Sequence, residues 1–539
     1  MGWPVNQRVR EGLLLAGFCV FLFFYGLGQF GLIGADEPRY AQVAREMLER
    51  RDWVTPTLGG AAWLEKPPLY YWQAMAAYAI FGVHDWAARV PSAIDASLIV
   101  LAVYFFLRRL RPGFHLDGAL MTASVAGFVG FAHSASTDMP LAAMFSLAML
   151  GWYAWWETGE KPYLGGFYGF LALATLAKGP VAVVLASAIL VVFAVAAGDS
   201  KIVLRTLWLP GMLLFFVVAM PWYVAIEAYH PEFFRVFILE HNLARFGSNL
   251  YHHPQPSWYY VPVTALALVP WVVFVGASGF EIARAWWAER KALFETGDAL
   301  NFFLLLWLVI PVAFFSLSQS KLPGYILPSV AAGPLLVAEY VRRHVESEAR
   351  PALGVIGLHA LVAAAPLVPA LTVAYLVIQH RMPWGPATWI ALGIALIVAI
   401  GIHITLTGKL GLRVLYFVTL VPVVLVVAAL LRIGAPAVDQ TLSARPVAQQ
   451  LAAMESKRLP VALLGVPRET EYGLAFYRNQ TISRYELRQV PGDEHLLVAP
   501  AGTRDAIAAF VSGRRVSYLG SFASQQLEFY WVAGAKAGE

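Results

Sequence analysis

Apolar residues run through this chain in blocks of membrane length, separated by short polar connections. A hydrocarbon core about 30 Å thick needs about 20 residues of helix to cross it. Runs that meet this need lie at 11–30, 88–107, 117–134, 139–156, 164–178, 179–198, 206–226 and 258–279. More follow at 300–317, 323–341, 353–379, 387–407 and 413–432, so the pattern predicts a polytopic α-helical protein of about 13 spans. Lys178-Gly179-Pro180 interrupts one long apolar stretch and is read as a tight outer turn. The run 69–82 is short and rich in aromatics, which suits a helix lying at the membrane interface. Residues 1–35 resemble a signal peptide at first sight, but the apolar stretch exceeds the about 7–15 residues usual for one.

Charge orients these spans. With 69–82 left out of the count, alternate connections carry Arg8 and Arg10; Arg108, Arg109 and Arg111; Lys161; Lys201 and Arg205; Arg284, Arg290 and Lys291; Arg342, Arg343 and Arg350; and Lys409 and Arg413. Basic short loops mark the cytoplasmic side. The N-terminus is therefore expected inside, and the long connections 31–87 and 227–257 outside together with the C-terminal segment. Counting 69–82 as a span would put Arg108–Arg111 outside and break the pattern.

From Ala435 the pattern changes. Residues 435–539 mix polar residues with short β-type runs at 461–466 and 495–499, and with amphipathic stretches at 443–457, 468–478 and 504–512. This predicts a small soluble α/β domain after a membrane domain of residues 1–434. Composition agrees: of 539 residues 59% are hydrophobic and 14% charged, against about 25% charged in soluble domains. The net charge of +5 sits in short clusters between apolar runs, without the solvated basic face that a nucleic-acid partner needs. The single cysteine, Cys19, can form no internal disulfide.

Polar residues on the outer connections are the candidates for chemistry. Asp36 and Glu37 precede Pro38 at the start of a helical pattern, where Asp36 is expected as the N-cap. Asp36, Arg39 and Tyr40 share one helix face, and a carboxylate at a helix N-terminus is stabilised in its ionised form. Such a group is a weak base and a good partner for a cation. Glu65 and Lys66 stand before Pro67-Pro68, which holds Lys66 on extended backbone as a phosphate ligand or a snorkelling anchor. Asp138 opens a span before Met139-Pro140, and Lys178 sits on the outer turn. Glu240, His241 and Arg245 cluster within one helical turn, and Lys321 and Tyr325 lie four residues apart at the start of another span. His252-His253 precede Pro254, with a spacing that is not diagnostic of a metal site. Ionisable groups at the bilayer edge are costly and usually functional. A set of carboxylates and phosphate ligands on one membrane face fits transfer from a lipid-phosphate donor. A transporter would place such groups at mid-membrane. No GxxxxGK[ST], HExxH or GxSxG occurs, nor a GxGxxG opening a helix after a strand.

Four segments carry a family resemblance: Ala35-Asp36-Glu37-Pro38-Arg39-Tyr40, Glu65-Lys66-Pro67-Pro68-Leu69-Tyr70-Tyr71-Trp72, Glu240-His241-Asn242-Leu243-Ala244-Arg245-Phe246 and Ser320-Lys321-Leu322-Pro323-Gly324-Tyr325-Ile326-Leu327-Pro328. In this order they resemble bacterial aminoarabinose transferases, lipid A-modifying enzymes of the C-type glycosyltransferase membrane fold. The Asp-Glu pair alone is shared with protein O-mannosyltransferases. The resemblance implies transfer of 4-amino-4-deoxy-L-arabinose from undecaprenyl phosphate to lipid A phosphate at the periplasmic face of a Gram-negative inner membrane. It implies Lys66, Arg245 and Tyr325, with Lys321, as holders of the donor phosphate. Asp36, Asp138 and Glu37 become catalytic carboxylates, and Arg39, Tyr40, Glu65, Glu240, His241 and Lys178 supporting residues. It implies no metal and no cofactor. An O-mannosyltransferase-like enzyme with a hydroxyl acceptor is the alternative, and a lipid-linked sugar transporter the non-enzymatic rival.

Overall fold

The computed structural model describes residues 7–244, 255–288, 299–377 and 381–535. Among these, seven helices are long and apolar enough to cross a membrane, or eight if Ser257–Ala267 and Val272–Ala288, bent by 117°, form one span. The N-terminal half comprises α1 (Gln7–Cys19), α2 (Asp36–Arg50), α3 (Leu69–Phe81), α4 (Asp85–Leu110), α5 (His115–Ala123), α6 (Ala126–Ala132), α7 (Asp138–Thr158), α8 (Lys161–Lys178) and α9 (Val181–Ala197). Proline in the first turn of α8, where no N–H is needed, helps to start it. α7 ends on Gly159 in the left-handed region, which lets the chain reverse into α8. These two helices pack closely because Gly151 has no Cβ; one built there would lie 3.0 Å from the Tyr163 carbonyl oxygen.

Two expected spans are broken. The run 117–134 divides into α5 and α6, and 258–279 bends between Ala267 and Val272. The two breaks satisfy one another: Trp271 Nε1 donates to Ser124 Oγ at 2.9 Å, and the Ala126 N–H donates to the Val269 carbonyl at 2.9 Å. Backbone freed inside an apolar medium must find protein partners, and each break supplies them for the other. The first expected span, 11–30, ends its helix at Phe24. α3 is the helix expected at 69–82. It buries Tyr70, Tyr71, Ala74 and Tyr78, and it ties to its neighbours through Tyr70 Oη to the Ala88 carbonyl (2.9 Å) and Tyr78 Oη to the Ala41 carbonyl (3.2 Å).

Past Ala435 the chain forms a five-stranded sheet in the order β4-β3-β5-β7-β6, comprising β3 (Val461–Leu463), β4 (Ser483–Arg484), β5 (His495–Pro500), β6 (Val516–Phe522) and β7 (Leu527–Val532); β1 (Thr57–Leu58) and β2 (Ala61–Ala62) form a small hairpin elsewhere. β3 runs parallel to β4 and β5, whereas β7 is antiparallel to both β5 and β6. Helices Arg445–Met454, Arg468–Arg478 and Arg504–Phe510 stand at the three amphipathic stretches. The β6–β7 hairpin was not foreseen, since β6 is half exposed and lacks a continuous apolar run.

This unit is bolted to the connection between α1 and α2. Arg445 reaches Asp85 at 3.0 Å and donates to the Gly28 and Gln29 carbonyls, while Tyr477 Oη donates to Asp85 and accepts from the Leu32 N–H at 2.8 Å. The Gly31 N–H donates to Asp439 at 2.7 Å.

Beneath that connection lies Arg89 of α4, fully buried. Its Nη1 donates to the Leu27 and Phe30 carbonyls (2.8 Å each), and its Nη2 to the Gly31 carbonyl (2.9 Å) and Glu37 Oε2 (2.7 Å). Glu37 also accepts from the Ile33 and Ala135 N–H groups at 2.9 and 2.8 Å. Removing one partner leaves an uncompensated buried charge, at a cost of about 3–5 kcal/mol. Arg89→Met is therefore expected to lower the unfolding free energy of the purified protein by about that amount, and Glu37→Gln added to it to restore part of the loss. Chemical denaturation of the single and double variants checks this.

Candidate active site

α2 starts at Asp36, but Ala35 occupies the capping position and no side chain caps the helix, so Asp36 is the first helical residue and not the N-cap. Its carboxylate, 54% exposed, pairs with Arg39 one turn on. The Arg39 guanidinium is largely buried among three rings, 4.8 Å from Trp63, 5.3 Å from Tyr40 and 5.6 Å from Tyr472. Tyr472 belongs to helix Arg468–Arg478, so the C-terminal unit supplies one wall of this stack. Tyr40 is buried against Tyr70 and Tyr71, with ring centroids 6.2 Å away in each case. Burial, reinforced by the negative charges of Asp36 and Asp138, raises its hydroxyl well above the ordinary tyrosine range. Tyr40 thus stays a neutral donor in the field of both carboxylates.

Glu65 and Lys66 approach this face from the β1–β2 hairpin. Lys66 is half-buried and donates to the Glu65 carbonyl at 3.3 Å.

The second carboxylate comes from a helical hairpin. α7 begins at Asp138 and α8 ends at Lys178, so the antiparallel pair brings these two side chains to the same end, where they form an ion pair. Lys178 also lies 4.7 Å from the centroid of the Tyr325 ring. The turn before Tyr325 passes directly over the carboxylate: a Cβ on Gly324 would lie 2.6–2.7 Å from the Asp138 carboxylate atoms. Tyr260 Oη fixes this turn by bonding both the N–H and the carbonyl of Leu322 at 3.1 Å.

The expected residues are therefore distributed as follows. Asp36, Arg39 and Tyr40 share a face of α2 with Glu65 close to Arg39, Lys66 follows Glu65 in the chain, and Asp138, Lys178 and Tyr325 form the second group. Glu37, read from the sequence as a catalytic carboxylate, is buried, and every contact of its carboxylate goes to the frame through Arg89 and two backbone N–H groups. Lys178, expected on an outer turn, is paired with Asp138 and mostly buried. Lys321 is buried and donates to the Ser318 carbonyl of its own loop. Glu240, on the helical segment Phe234–Ala244, is exposed and bonds Arg235 at 2.9 Å. Arg245, His252 and His253, and the side chain of His241, lie outside the described residues. Among the described residues no group of three or more His, Cys, Asp or Glu side chains is placed to hold a metal. Trp63, Tyr472, Tyr260 and Gly324 were not singled out by the sequence reading. Of these, Gly324 sits within the motif segment 320–328, whereas Trp63 falls just outside the segment 65–72.

A helical membrane protein thus carries two carboxylates, each paired with its own cation, one beside a cluster of buried rings and the other beneath the turn that leads to Tyr325. This is the C-type glycosyltransferase membrane fold. The crystal structure of ArnT from Cupriavidus metallidurans bound to undecaprenyl phosphate superposes with a TM-score of 0.77 at 21% identity, covering 97% of this chain and 98% of that one. Its apo structure gives 0.76. The resemblance read from the four motifs recurs among curated relatives. The chain is 32% identical over 344 residues to undecaprenyl phosphate-alpha-4-amino-4-deoxy-L-arabinose arabinosyl transferase 1 of Pseudomonas fluorescens, and 31% identical over 359 residues to the corresponding transferase of Pseudomonas savastanoi pv. phaseolicola. These matches cover 62% and 66% of this chain, and they span 60% and 65% of the length of the relatives. Residues 65–224 match the family described as dolichyl-phosphate-mannose-protein mannosyltransferase.

The Asp138–Lys178 pair is largely shielded, with 19% and 15% of the side chains exposed. A double-mutant cycle with Asp138→Asn and Lys178→Met, read by chemical denaturation, should give a coupling energy of about 1–3 kcal/mol. Additive effects would mean that the two side chains do not act as a unit.

Proposed function

We propose that this protein transfers 4-amino-4-deoxy-L-arabinose from undecaprenyl phosphate to phosphate groups of lipid A, at the periplasmic face of a Gram-negative inner membrane. In this reading residues 1–434 form the transferase domain and 435–539 a soluble periplasmic domain. The observation that carries it is the presence of two carboxylate–cation pairs beside aromatic rings, Asp36–Arg39 and Asp138–Lys178, in a chain with the fold of a protein solved with undecaprenyl phosphate bound. The basic loops on one side of the spans support the periplasmic placement of that face.

The chemistry follows from the charges. An oxygen of the acceptor phosphate attacks the anomeric carbon of the sugar. The bond from that carbon to the donor phosphate oxygen breaks, and undecaprenyl phosphate leaves with the electron pair. The attacking phosphate is already anionic, so no proton need be removed. What the reaction needs is cations on the departing phosphate and negative charge near the sugar as positive charge develops on it. Lys66, Arg245 and Tyr325 would hold the donor phosphate, with Lys178 close behind the Tyr325 ring. Asp138, held by Lys178, faces the turn carrying Gly324. Asp36 is exposed enough to meet a ligand and stands in the first turn of α2, whose N-terminus it shares with Glu37. It would bind the ammonium group of the sugar, with Arg39 orienting the carboxylate.

The match to the mannosyltransferase family over residues 65–224 favours a second reading, in which a hydroxyl is the acceptor and one carboxylate must act as a base. Two donors tested against one lipid A acceptor separate the two jobs of Asp36. Asp36→Asn should lower turnover of the aminosugar donor about 100-fold, consistent with loss of charge-assisted bonds of about 1.5–3 kcal/mol. An analogue with hydroxyl in place of the amine should react poorly with the wild type and lose little more from the mutation. Equal loss for both donors would make Asp36 a participant in the transfer step itself.

A further inference from the structure

On the far side of α2 from Asp36, a cavity of about 420 Å³ opens at the seam between α2, the α3–α4 turn and the C-terminal unit. Arg45, His84, Asp85, Arg445, Gln449 and Tyr477 are among its lining residues. Asp36 and Arg45 are separated by about 13 Å along the helix axis, at roughly 1.5 Å per residue, and point to opposite faces at about 100° per residue. The cavity is therefore distinct from the candidate active site.

Arg45 is the unusual member. It is 9% exposed and, among the described residues, has no carboxylate within ion-pair distance. Its Nη1 donates to the Phe476 carbonyl at 2.7 Å, with a long contact of 3.5 Å to Gln42, and the guanidinium lies 4.6 Å from the Phe476 ring. No protein acceptor among the described residues takes Nε or Nη2. The acids nearby are engaged elsewhere. Asp85 is held by Arg445, Tyr477 and the Trp86 N–H, and Glu49, one turn along α2, accepts from Asn479 at 3.3 Å. Arg458 adds positive charge from the C-terminal unit. Nε and Nη2 therefore open to the cavity, with Glu49 as the nearby counter-charge, and an anion entering there would take them in charge-assisted bonds.

The position of the cavity says which anion. Val83, His84 and Asp85 form the turn at the start of span α4, and Arg445 grips the Gly28 and Gln29 carbonyls just past the first span helix. Beside this turn Ile80 and Phe81 expose 73% and 44% of their surface as bare apolar side chains. The site thus lies at the start of a helix long and apolar enough to cross a membrane, next to an exposed apolar surface suited to acyl chains. We infer that the Arg45 cavity seats the phosphate of a lipid headgroup, apart from the place of sugar transfer.

The inference does not depend on the transfer reading, because its test measures binding and not turnover. Full-length protein in uncharged detergent, carrying Lys66→Ala to weaken the other phosphate locus, is titrated calorimetrically with short-chain phosphatidic acid and with inorganic phosphate. Phosphatidic acid should bind about tenfold more tightly than inorganic phosphate, and Arg45→Gln should weaken it by about tenfold. Arg45 also ties α2 to the C-terminal unit, so a second variant is needed. Ala452→Glu places a carboxylate on the exposed cavity wall and leaves the Arg45–Phe476 bond in place. It should weaken phosphatidic acid by a similar factor. Wild-type binding in folded Ala452→Glu, or no binding of phosphatidic acid at all, would overturn the seat. Inorganic phosphate binding as tightly as phosphatidic acid would overturn the assignment to a lipid.

Discussion

The connection that carries the candidate site hangs on one buried guanidinium. Arg89 gathers the carbonyls of Leu27, Phe30 and Gly31 and the carboxylate of Glu37, and so ends the first span, turns the chain and sets the start of α2. Glu37 in turn takes the Ala135 N–H from the stretch leading to Asp138. A single ion pair therefore fixes the backbone on both sides of the candidate site. A buried pair contributes little net stability compared with an apolar replacement. Its value here is geometric: with Glu37 held inward, Asp36 projects about 100° away around the same helical turn.

The C-terminal unit extends that frame. Its hold on the membrane part runs through Arg445, Tyr477 and Asp439 onto residues 28–32, the same connection that Arg89 holds from below. Through Tyr472 it also touches Arg39, the partner of Asp36. Displacement of this unit would reach the Asp36 carboxylate through only two side chains. The C-terminal unit is thus a structural component of the candidate site.

Much of this was legible in the sequence, and the exceptions share a cause. Apolar runs announced the helices, because a span must be apolar over its whole length. Amphipathic periodicity announced the three helices of the C-terminal unit. The breaks at Ser124 and around Val269 were not legible, since each is stabilised by the other and neither violates the apolar pattern by itself. Asp36 and Glu37 are indistinguishable as neighbouring acids; only Arg89, hidden within an apolar run, decides which one is buried. The pairing of Asp138 with Lys178 was within reach, because spans 139–156 and 164–178 joined by a short turn must bring those ends together. The contact of Tyr472 with Arg39 was beyond reach, as nothing local links residues so far apart in the chain.

The central claim is that the face carrying Asp36 and Asp138 moves an aminosugar from a polyprenyl phosphate onto lipid A. Mass spectrometry of lipid A from otherwise identical Gram-negative cells with and without this protein, supplied with the undecaprenyl-linked donor, tests it most directly. The account predicts lipid A phosphates bearing the aminopentose in cells that have the protein, and unmodified phosphates in cells that lack it. Identical lipid A in both, with the protein folded and inserted, would contradict it.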